Sequence, residues 1–155
     1  FIAPIPENER SNLVKAYYKR LTSSNEIERM AAAKAWSIWE GSTATLRSNS
    51  AVIDYFSDPH IALSIARIEC HYFMHNSFFE ENQLLNNAIK LKDIPGFIVH
   101  GRYDVICPVD QAFELHEKWP NSQLKIIADA GHAVSEEGIV RALIDSTNSM
   151  LRLIE

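Results

Sequence analysis

Two residues in the C-terminal third of the chain have the types and positions needed for acid–base chemistry. Asp104 follows the apolar segment 97–100 after a glycine, and His132 follows the apolar segment 123–128 after another glycine. An aspartate that accepts a hydrogen bond from a histidine fixes the tautomer of the imidazole and stabilises its protonated form. Each residue alone is also explained as an ordinary turn or loop residue. Because loops that follow consecutive parallel strands lie side by side, the sequence predicts that Asp104 and His132 form a catalytic pair.

The pair lacks a nucleophile in this sequence. The acid precedes the histidine, which is the chain order of hydrolases in which the serine comes first of the three. The Gly-x-Ser-x-Gly turn that carries such a serine is absent from the 155 residues. The sequence therefore predicts two members of a triad without the third.

The elements that must position this pair change character along the chain. Residues 1–92 are predicted to be almost wholly helical, and residues 93–155 to alternate between strands and helices, which indicates an α/β fold with parallel strands and crossover helices. Two strands do not make a stable parallel sheet, since both faces and both edges need covering. The C-terminal segment is therefore predicted to be the last piece of a larger sheet, the rest coming from a missing N-terminal region or another chain. The predicted helices are 11–21, about 26–41, 59–76, 80–91, 109–119 and 136–153, and the predicted strands are 97–100 and 123–128.

Composition excludes several classes of function. A formal charge of −5 without a Lys/Arg cluster argues against a nucleic-acid surface. No apolar run reaches the ~20 residues that span a bilayer. Cys70 and Cys107 lie in apolar segments without metal-site spacing, which is typical of reduced thiols in a cytoplasmic protein. The first residues read as a mid-protein start rather than a signal peptide.

Two glutamates in the helical part occupy positions that stability does not explain. Glu69 shares a helix face with Ile65 and Phe73, and a buried carboxylate is costly unless it is paired. The alternative is a structural ion pair with Arg67, His71 or another cation. Glu40 lies in the last turn of its predicted helix, where the macrodipole disfavours a negative charge by ~0.3–1 kcal/mol. An exposed and screened Glu40 is the plainer interpretation of that residue alone.

The remaining candidate residues are better explained by structural roles than by catalysis or metal binding. His71 and His75 are one turn apart on one helix face, but no third ligand at suitable spacing is visible, so no metal site is predicted. Trp36 and Trp39 are most simply core residues, and they could also line an apolar pocket.

A Trp-x-x-Trp-Glu motif at 36–40 and a His-Gly-Arg-Tyr-Asp motif at 100–104, with the segments around them, resemble those of the proline iminopeptidases (prolyl aminopeptidases), a family within the α/β-hydrolase superfamily. They occur in order and at compatible spacing through nearly the whole chain, and the Trp-x-x-Trp-Glu and His-Gly-Arg-Tyr-Asp motifs are specific to that family rather than to α/β-hydrolases at large. The segments that carry the resemblance are 35–40, 66–73, 98–104 with Cys107-Pro108, and 129–132 with 137–139.

The resemblance implies the C-terminal half of such an enzyme, with a helical cap over residues 1–92 and the last part of the α/β-hydrolase core over residues 93–155. The implied activity is release of N-terminal proline from peptides by serine acyl transfer, without metal or organic cofactor. Asp104 would be the triad acid and His132 the triad base. Glu40 and Glu69 would bind the free α-amino group of the substrate. Independently of the resemblance, Cys107 is predicted to be a thiol close to the site because it follows Asp104 by three residues on the same loop, and a buried inert cysteine is the alternative.

The implied partners are peptides with N-terminal proline and the missing N-terminal half, which would carry the serine and the oxyanion loop. Two other functions remain open at this stage. One is a different capped α/β-hydrolase, such as an esterase or an epoxide hydrolase, which has no use for two amine-binding carboxylates. The other is a non-catalytic binding module derived from such an enzyme.

Overall fold

A computed structural model describes residues 1–154, which divide into two compact units. The first unit comprises Phe1–Ser42 and Asn49–Glu80, and the second comprises Thr43–Ser48 and the described chain from Glu81 onward. No helix among the described residues is both long enough and apolar enough to cross a membrane.

The first unit is helical, as the sequence predicts for this region. Its α-helices are α1 (Leu13–Leu21), the part of α2 (Glu26–Thr43) up to Ser42, α3 (Ser50–Ser57) and α4 (Pro59–Met74), and its 3₁₀ turns are Glu7–Asn12 and Asn76–Phe78.

Short polar side chains begin these helices. The Asp58 carboxylate accepts hydrogen bonds from the backbone N–H groups of His60 and Ile61, with Pro59 at the first helical position, as predicted. Asn25 caps α2 by accepting from the N–H groups of Ile27 and Glu28. These contacts satisfy N–H groups that have no partner within the helix.

The sequence prediction was wrong at Gly41, which does not end its helix. A Cβ atom built on Gly41 would lie 2.8 Å from the Cβ atom of Phe56, so a side chain at this position would displace α3. The helix continues to Thr43, and α3, which the sequence analysis did not predict, packs against the glycine. The glycine therefore serves close helix packing rather than helix termination.

The core of the first unit is built around aromatic and small side chains. Tyr17 is fully buried, and its hydroxyl donates to the carbonyl oxygen of Phe1 at 2.6 Å. The ring of Trp36 packs edge-on against Tyr17 with ring centroids 5.2 Å apart. Buried alanines let α1 and α4 pack closely, and alanines of α2 line the same core. The buried core residues are Ile5, Ala16, Tyr17, Leu21, Ala32, Ala33, Trp36, Ala62, Ala66 and Cys70.

The second unit has the alternating order that the sequence predicts, which confirms the α/β character of this part. It contains α5 (Gln83–Asn87), a 3₁₀ turn (Ala88–Leu91), β1 (Gly96–Gly101), α6 (Val109–Lys118), β2 (Ser122–Ile127) and α7 (Glu137–Ile154). The predicted helix over 80–91 is thus shorter, and its end is a 3₁₀ turn.

The two strands form a parallel pair, in register from Gly96 opposite Ser122 to Gly101 opposite Ile127. Helix α6 is the crossover between them, and α7 follows β2 and packs against both strands. Among the described residues each strand has one paired and one unpaired edge. Because the strands are parallel, the loops that follow them start at the same end of the sheet, the carboxyl end, where ligand sites of open parallel sheets lie.

The buried thiol of Cys70 generates a prediction about alkaline stability. Burial, with a smaller contribution from the Glu69 carboxylate, raises the pKa of the Cys70 thiol from 9.0 to about 11. The unfolded chain loses this proton near pH 9 while the folded protein keeps it, so the contribution is intact below pH 9 and is lost as the pH rises from 9 towards 11. We expect the free energy of unfolding in urea to fall by about 1 kcal/mol from this group between pH 8 and pH 10.

The matched variant is Cys70→Ser, which keeps a donor for the carbonyl oxygen of Val14 but does not titrate in this range. Its unfolding free energy should depend less on pH than that of the parent chain. Equal pH dependence of the two proteins would show that Cys70 does not titrate as described.

Candidate active site

The site in the second unit depends on a close approach between two glycines. Gly101 at the end of β1 lies against the backbone of Ala130 and Gly131, and a Cβ atom on Gly101 would overlap the carbonyl oxygen of Gly131. The N–H of Tyr103 donates to the carbonyl oxygen of Ala130 at 3.0 Å. The loops after β1 and β2 are therefore joined directly through their backbones.

Asp104 is held in place by its own loop. The side chain is 5% exposed, and its Oδ1 atom accepts hydrogen bonds from the backbone N–H groups of Ile106 at 2.9 Å and Cys107 at 2.8 Å. This turn presents the second oxygen, Oδ2, to the neighbouring loop.

The structure brings His132 to that second oxygen, so the contact predicted from the sequence is present. Nδ1 of His132 lies 2.9 Å from Oδ2 of Asp104. Because an ionised carboxylate only accepts, Nδ1 carries the proton in this contact, and in the neutral ring Nε2 is then an acceptor. The His132 side chain is 37% exposed, so the imidazole is accessible while its partner is buried. Chemically, the pair is an oriented general base.

The backbone around His132 is fixed by a segment from far earlier in the chain. The N–H groups of His132 and Ala133 both donate to the carbonyl oxygen of Ala44, at 2.9 and 2.7 Å. The carboxylate of Glu136 accepts from the N–H of Gly131 at 3.0 Å and from the N–H of Leu46 at 2.8 Å. A carboxylate thus ties the loop that carries His132 to the segment Thr43–Ser48.

This link generates a prediction with a neighbouring residue as control. Glu136→Ala should lower the free energy of unfolding by about 1.5–3 kcal/mol, because two backbone N–H groups lose a charged acceptor. Glu137→Ala should cost about 0.5 kcal/mol or less, since the ion pair of Glu137 with Arg141 lies on the exposed surface of α7. Urea unfolding of both variants measures the difference. Equal losses would contradict the role of Glu136 described above.

Cys107 lies beside the Asp–His pair. Its sulfur, an oxygen of Asp104 and a ring nitrogen of His132 lie within 4.8 Å of one another. The carboxylate oxygens already accept hydrogen bonds from the loop and from the imidazole. The arrangement therefore fits a hydrogen-bonded acid–base pair with an adjacent thiol better than a metal centre. A functional role for the thiol stays a prediction.

In the first unit, the structure gives Glu69 an unexpected partner. The indole N–H of Trp36 donates to Oε2 of Glu69 at 2.8 Å, and Trp36 is only 3% exposed. The cationic partners considered from the sequence, Arg67 and His71, make no described ion pair with Glu69. A single N–H orients the half-buried carboxylate without neutralising its charge.

Glu40 lies one helical turn after Trp36 on α2 and is half-buried. Residues four apart share a helix face, so Glu40 is on the face that carries the indole bonded to Glu69. The aromatic rings of Phe1 and Phe73 also pack against Trp36. Two carboxylates and several aromatic faces are features that suit a cationic amine. The role of Glu40 and Glu69 in substrate binding stays a prediction.

Sequence reasoning missed two residues that touch this machinery. His100 contacts the Asp104 loop from β1, and Glu136 holds the loop of His132. His100 is the first residue of the His-Gly-Arg-Tyr-Asp motif and the last residue of the predicted strand 97–100. Nothing in that strand pattern assigned its side chain to the site. Glu136 precedes α7 and resembles any acidic residue at a helix start, and its reach back to Gly131 is visible only in three dimensions.

No protein-family model matches this sequence. Three relatives, all named proline iminopeptidase, match almost the whole chain. The protein of Xylella fastidiosa strain 9a5c is 49% identical over 97% of the chain and 49% of its own length. The protein of Xanthomonas citri is 48% identical over 96% of the chain and 48% of its own length. The protein of Arabidopsis thaliana is 46% identical over 97% of the chain and 40% of its own length.

The chain thus spans about half the length of the curated relatives it matches, or less. Among solved structures, a serine hydrolase involved in carbazole degradation aligns with a TM-score of 0.48 and 23% identity. That alignment covers 69% of this chain and 41% of the other.

Proposed function

From its homology to proteins named proline iminopeptidase, we propose that this chain is one part of a serine-type aminopeptidase that releases N-terminal proline from peptides. The observation that carries the proposal is the 2.9 Å contact between Asp104 and His132, which has the geometry of an acid and base awaiting a nucleophile. The serine and the oxyanion donors come from the part of the enzyme that this sequence does not contain.

In this proposal His132 moves the protons of acyl transfer. Nε2 accepts the proton of the serine hydroxyl as the oxygen attacks the prolyl carbonyl carbon, and later gives it to the leaving amine. Asp104 keeps Nδ1 protonated and stabilises the imidazolium without taking the proton itself. A water molecule then attacks the acyl-enzyme with the same imidazole as base, which releases proline and restores the serine.

The fold supports a division of labour along the chain. Residues 93–155 form the C-terminal part of an α/β-hydrolase core, and residues 1–92 form a mainly helical cap that recognises substrate. The unpaired strand edges of β1 and β2 support the existence of further strands in the complete enzyme. Those strands belong to the half of the relatives that this chain does not span.

We assign recognition of the substrate amine to Glu40 and Glu69. Like charges placed close together disfavour joint ionisation, and a cation between them relieves the repulsion. The N-terminal amine of a proline peptide is such a cation. A peptide with a blocked N-terminus cannot neutralise the carboxylates, which makes the site selective for free N-termini.

The amine-binding role predicts a substrate-dependent loss. In the complete enzyme, Glu40→Gln or Glu69→Gln should raise KM and lower kcat/KM for a proline arylamide by about 10- to 150-fold, the effect of one charge-assisted contact. Hydrolysis of a neutral ester without an amine should change little. Steady-state kinetics on both substrates measure this difference.

The control variant is Glu28→Gln. Glu28 is an exposed carboxylate near the start of α2, the helix that carries Glu40, and its replacement should change the hydrolysis of neither substrate. Equal losses on the amide and on the ester in the Glu40 and Glu69 variants would mean that both residues are structural. That result would favour an esterase-type hydrolase over an aminopeptidase.

The absence of a nucleophile predicts that the 155-residue chain alone hydrolyses no proline arylamide. Without the serine the covalent step does not occur, and each absent oxyanion donor costs roughly 3–4 kcal/mol of transition-state stabilisation. The measurement is release of the arylamine by purified chain at high concentration, beside His132→Ala chain as the blank. If the parent chain does release arylamine and His132→Ala abolishes that release, the chemistry does not depend on an external serine.

A further inference from the structure

We propose that His100 is a positioning residue, whose Nε2–H group fixes the loop of Asp104 and so determines how the carboxylate meets His132. The consequence for turnover rests on the proposed function, whereas the consequence for the imidazole of His132 does not. No residue motif pointed to this role, and it emerges from the hydrogen bonds at the end of β1.

The His100 side chain leaves β1 next to the loop and is largely enclosed, with 17% exposed. Its Nε2 atom lies 2.9 Å from the carbonyl oxygen of Cys107. A carbonyl oxygen only accepts, so Nε2 carries a proton whenever this bond is made. The same nitrogen lies 3.5 Å from Oδ2 of Asp104, the oxygen that His132 contacts.

These bonds engage both backbone groups of one residue, Cys107. The N–H of Cys107 donates to Oδ1 of Asp104, and the carbonyl oxygen of Cys107 accepts from His100. The side chain of Asp104 is thus tied to Cys107, and Cys107 is tied to the strand. Val105, between them, is 70% exposed, so its side chain contributes little packing to the loop. The bond from His100 thus connects the strand to the residue whose N–H group holds the Asp104 carboxylate.

Loss of the donor would act on His132 through Asp104. A carboxylate that turns away from Nδ1 no longer selects the Nδ1–H tautomer, and the lone pair on Nε2, which the general base needs, is then present in only part of the molecules. A residue at position 100 that merely fills space would have no such effect. If His100 acts as a donor, replacements of similar size with and without an N–H group should differ in the tautomer of His132. If it only fills space, they should not differ.

The test is the tautomer of His132 in the full-length protein, measured from imidazole ¹⁵N chemical shifts at a pH at which the ring is neutral. The parent chain and His100→Gln should hold mainly the Nδ1–H form, because the amide of glutamine reaches close to the place of Nε2. His100→Leu should shift His132 mainly to the Nε2–H form. His100→Asn, whose amide is one carbon shorter, should behave like His100→Leu.

His116 is the internal control, since its Nδ1 atom bonds to the Ser122 hydroxyl elsewhere in the same unit and should be unaffected by all three variants. If the His116 signals change in His100→Leu, the fold of that variant has changed. The comparison of His100→Gln with His100→Asn then decides whether the donor at position 100 controls the tautomer of His132. An unchanged tautomer of His132 in His100→Leu or His100→Asn, with His116 intact, would overturn the proposal, as would equal behaviour of the glutamine and asparagine variants.

The same variants in the complete enzyme separate this proposal from the proposed function. His100→Leu should lower kcat by about 10- to 100-fold with little change in KM, since only the orientation of the base is lost, and His100→Gln should stay within about 3-fold of the parent. Failure of the enzyme to act on proline substrates would refute the function while leaving the tautomer result standing. A tautomer shift without loss of kcat would refute the positioning role in turnover.

Discussion

The Asp104 carboxylate is the group on which the arrangement of the second unit converges. Its buried oxygens accept from two backbone N–H groups of its own loop and from His132, with His100 near the second oxygen. A buried carboxylate without such partners would be strongly unfavourable. The loops after β1 and β2 therefore have to meet, and the close contact at Gly101 lets them do so because a side chain there would keep the backbones apart.

The histidine side of the pair depends on a different part of the chain. The loop of His132 is bonded to Ala44 and Leu46, directly and through Glu136. This segment directly follows the helix that carries Glu40 in sequence. Within the second unit, these hydrogen bonds therefore fix the His132 loop to the segment Thr43–Ser48. Within the helical unit, the hydrogen bond from the Trp36 indole orients the carboxylate of Glu69.

Sequence patterns predicted the elements and the pair, and failed where only three-dimensional packing decides. Apolar runs and turn residues located β1, α6, β2 and α7 within about two residues, and consecutive parallel strands implied that Asp104 meets His132. Gly41 was misread as a helix end because a glycine that accommodates Phe56 looks the same in sequence as one that ends a helix. Helix α3 was missed. His100 and Glu136 were not assigned to the site because their hydrogen-bond partners are backbone groups. Such partners leave no mark on residue type.

The most direct test of the account is Asp104→Asn in the complete enzyme. The amide keeps the size of the side chain but can donate to Nδ1, which favours the wrong tautomer of His132. We predict that kcat for a proline arylamide falls by about 10⁴-fold while KM changes little, because binding does not depend on the tautomer. Retention of kcat within about tenfold of the parent, in a folded variant, would contradict the claim that Asp104 and His132 act as the acid and base of a serine triad.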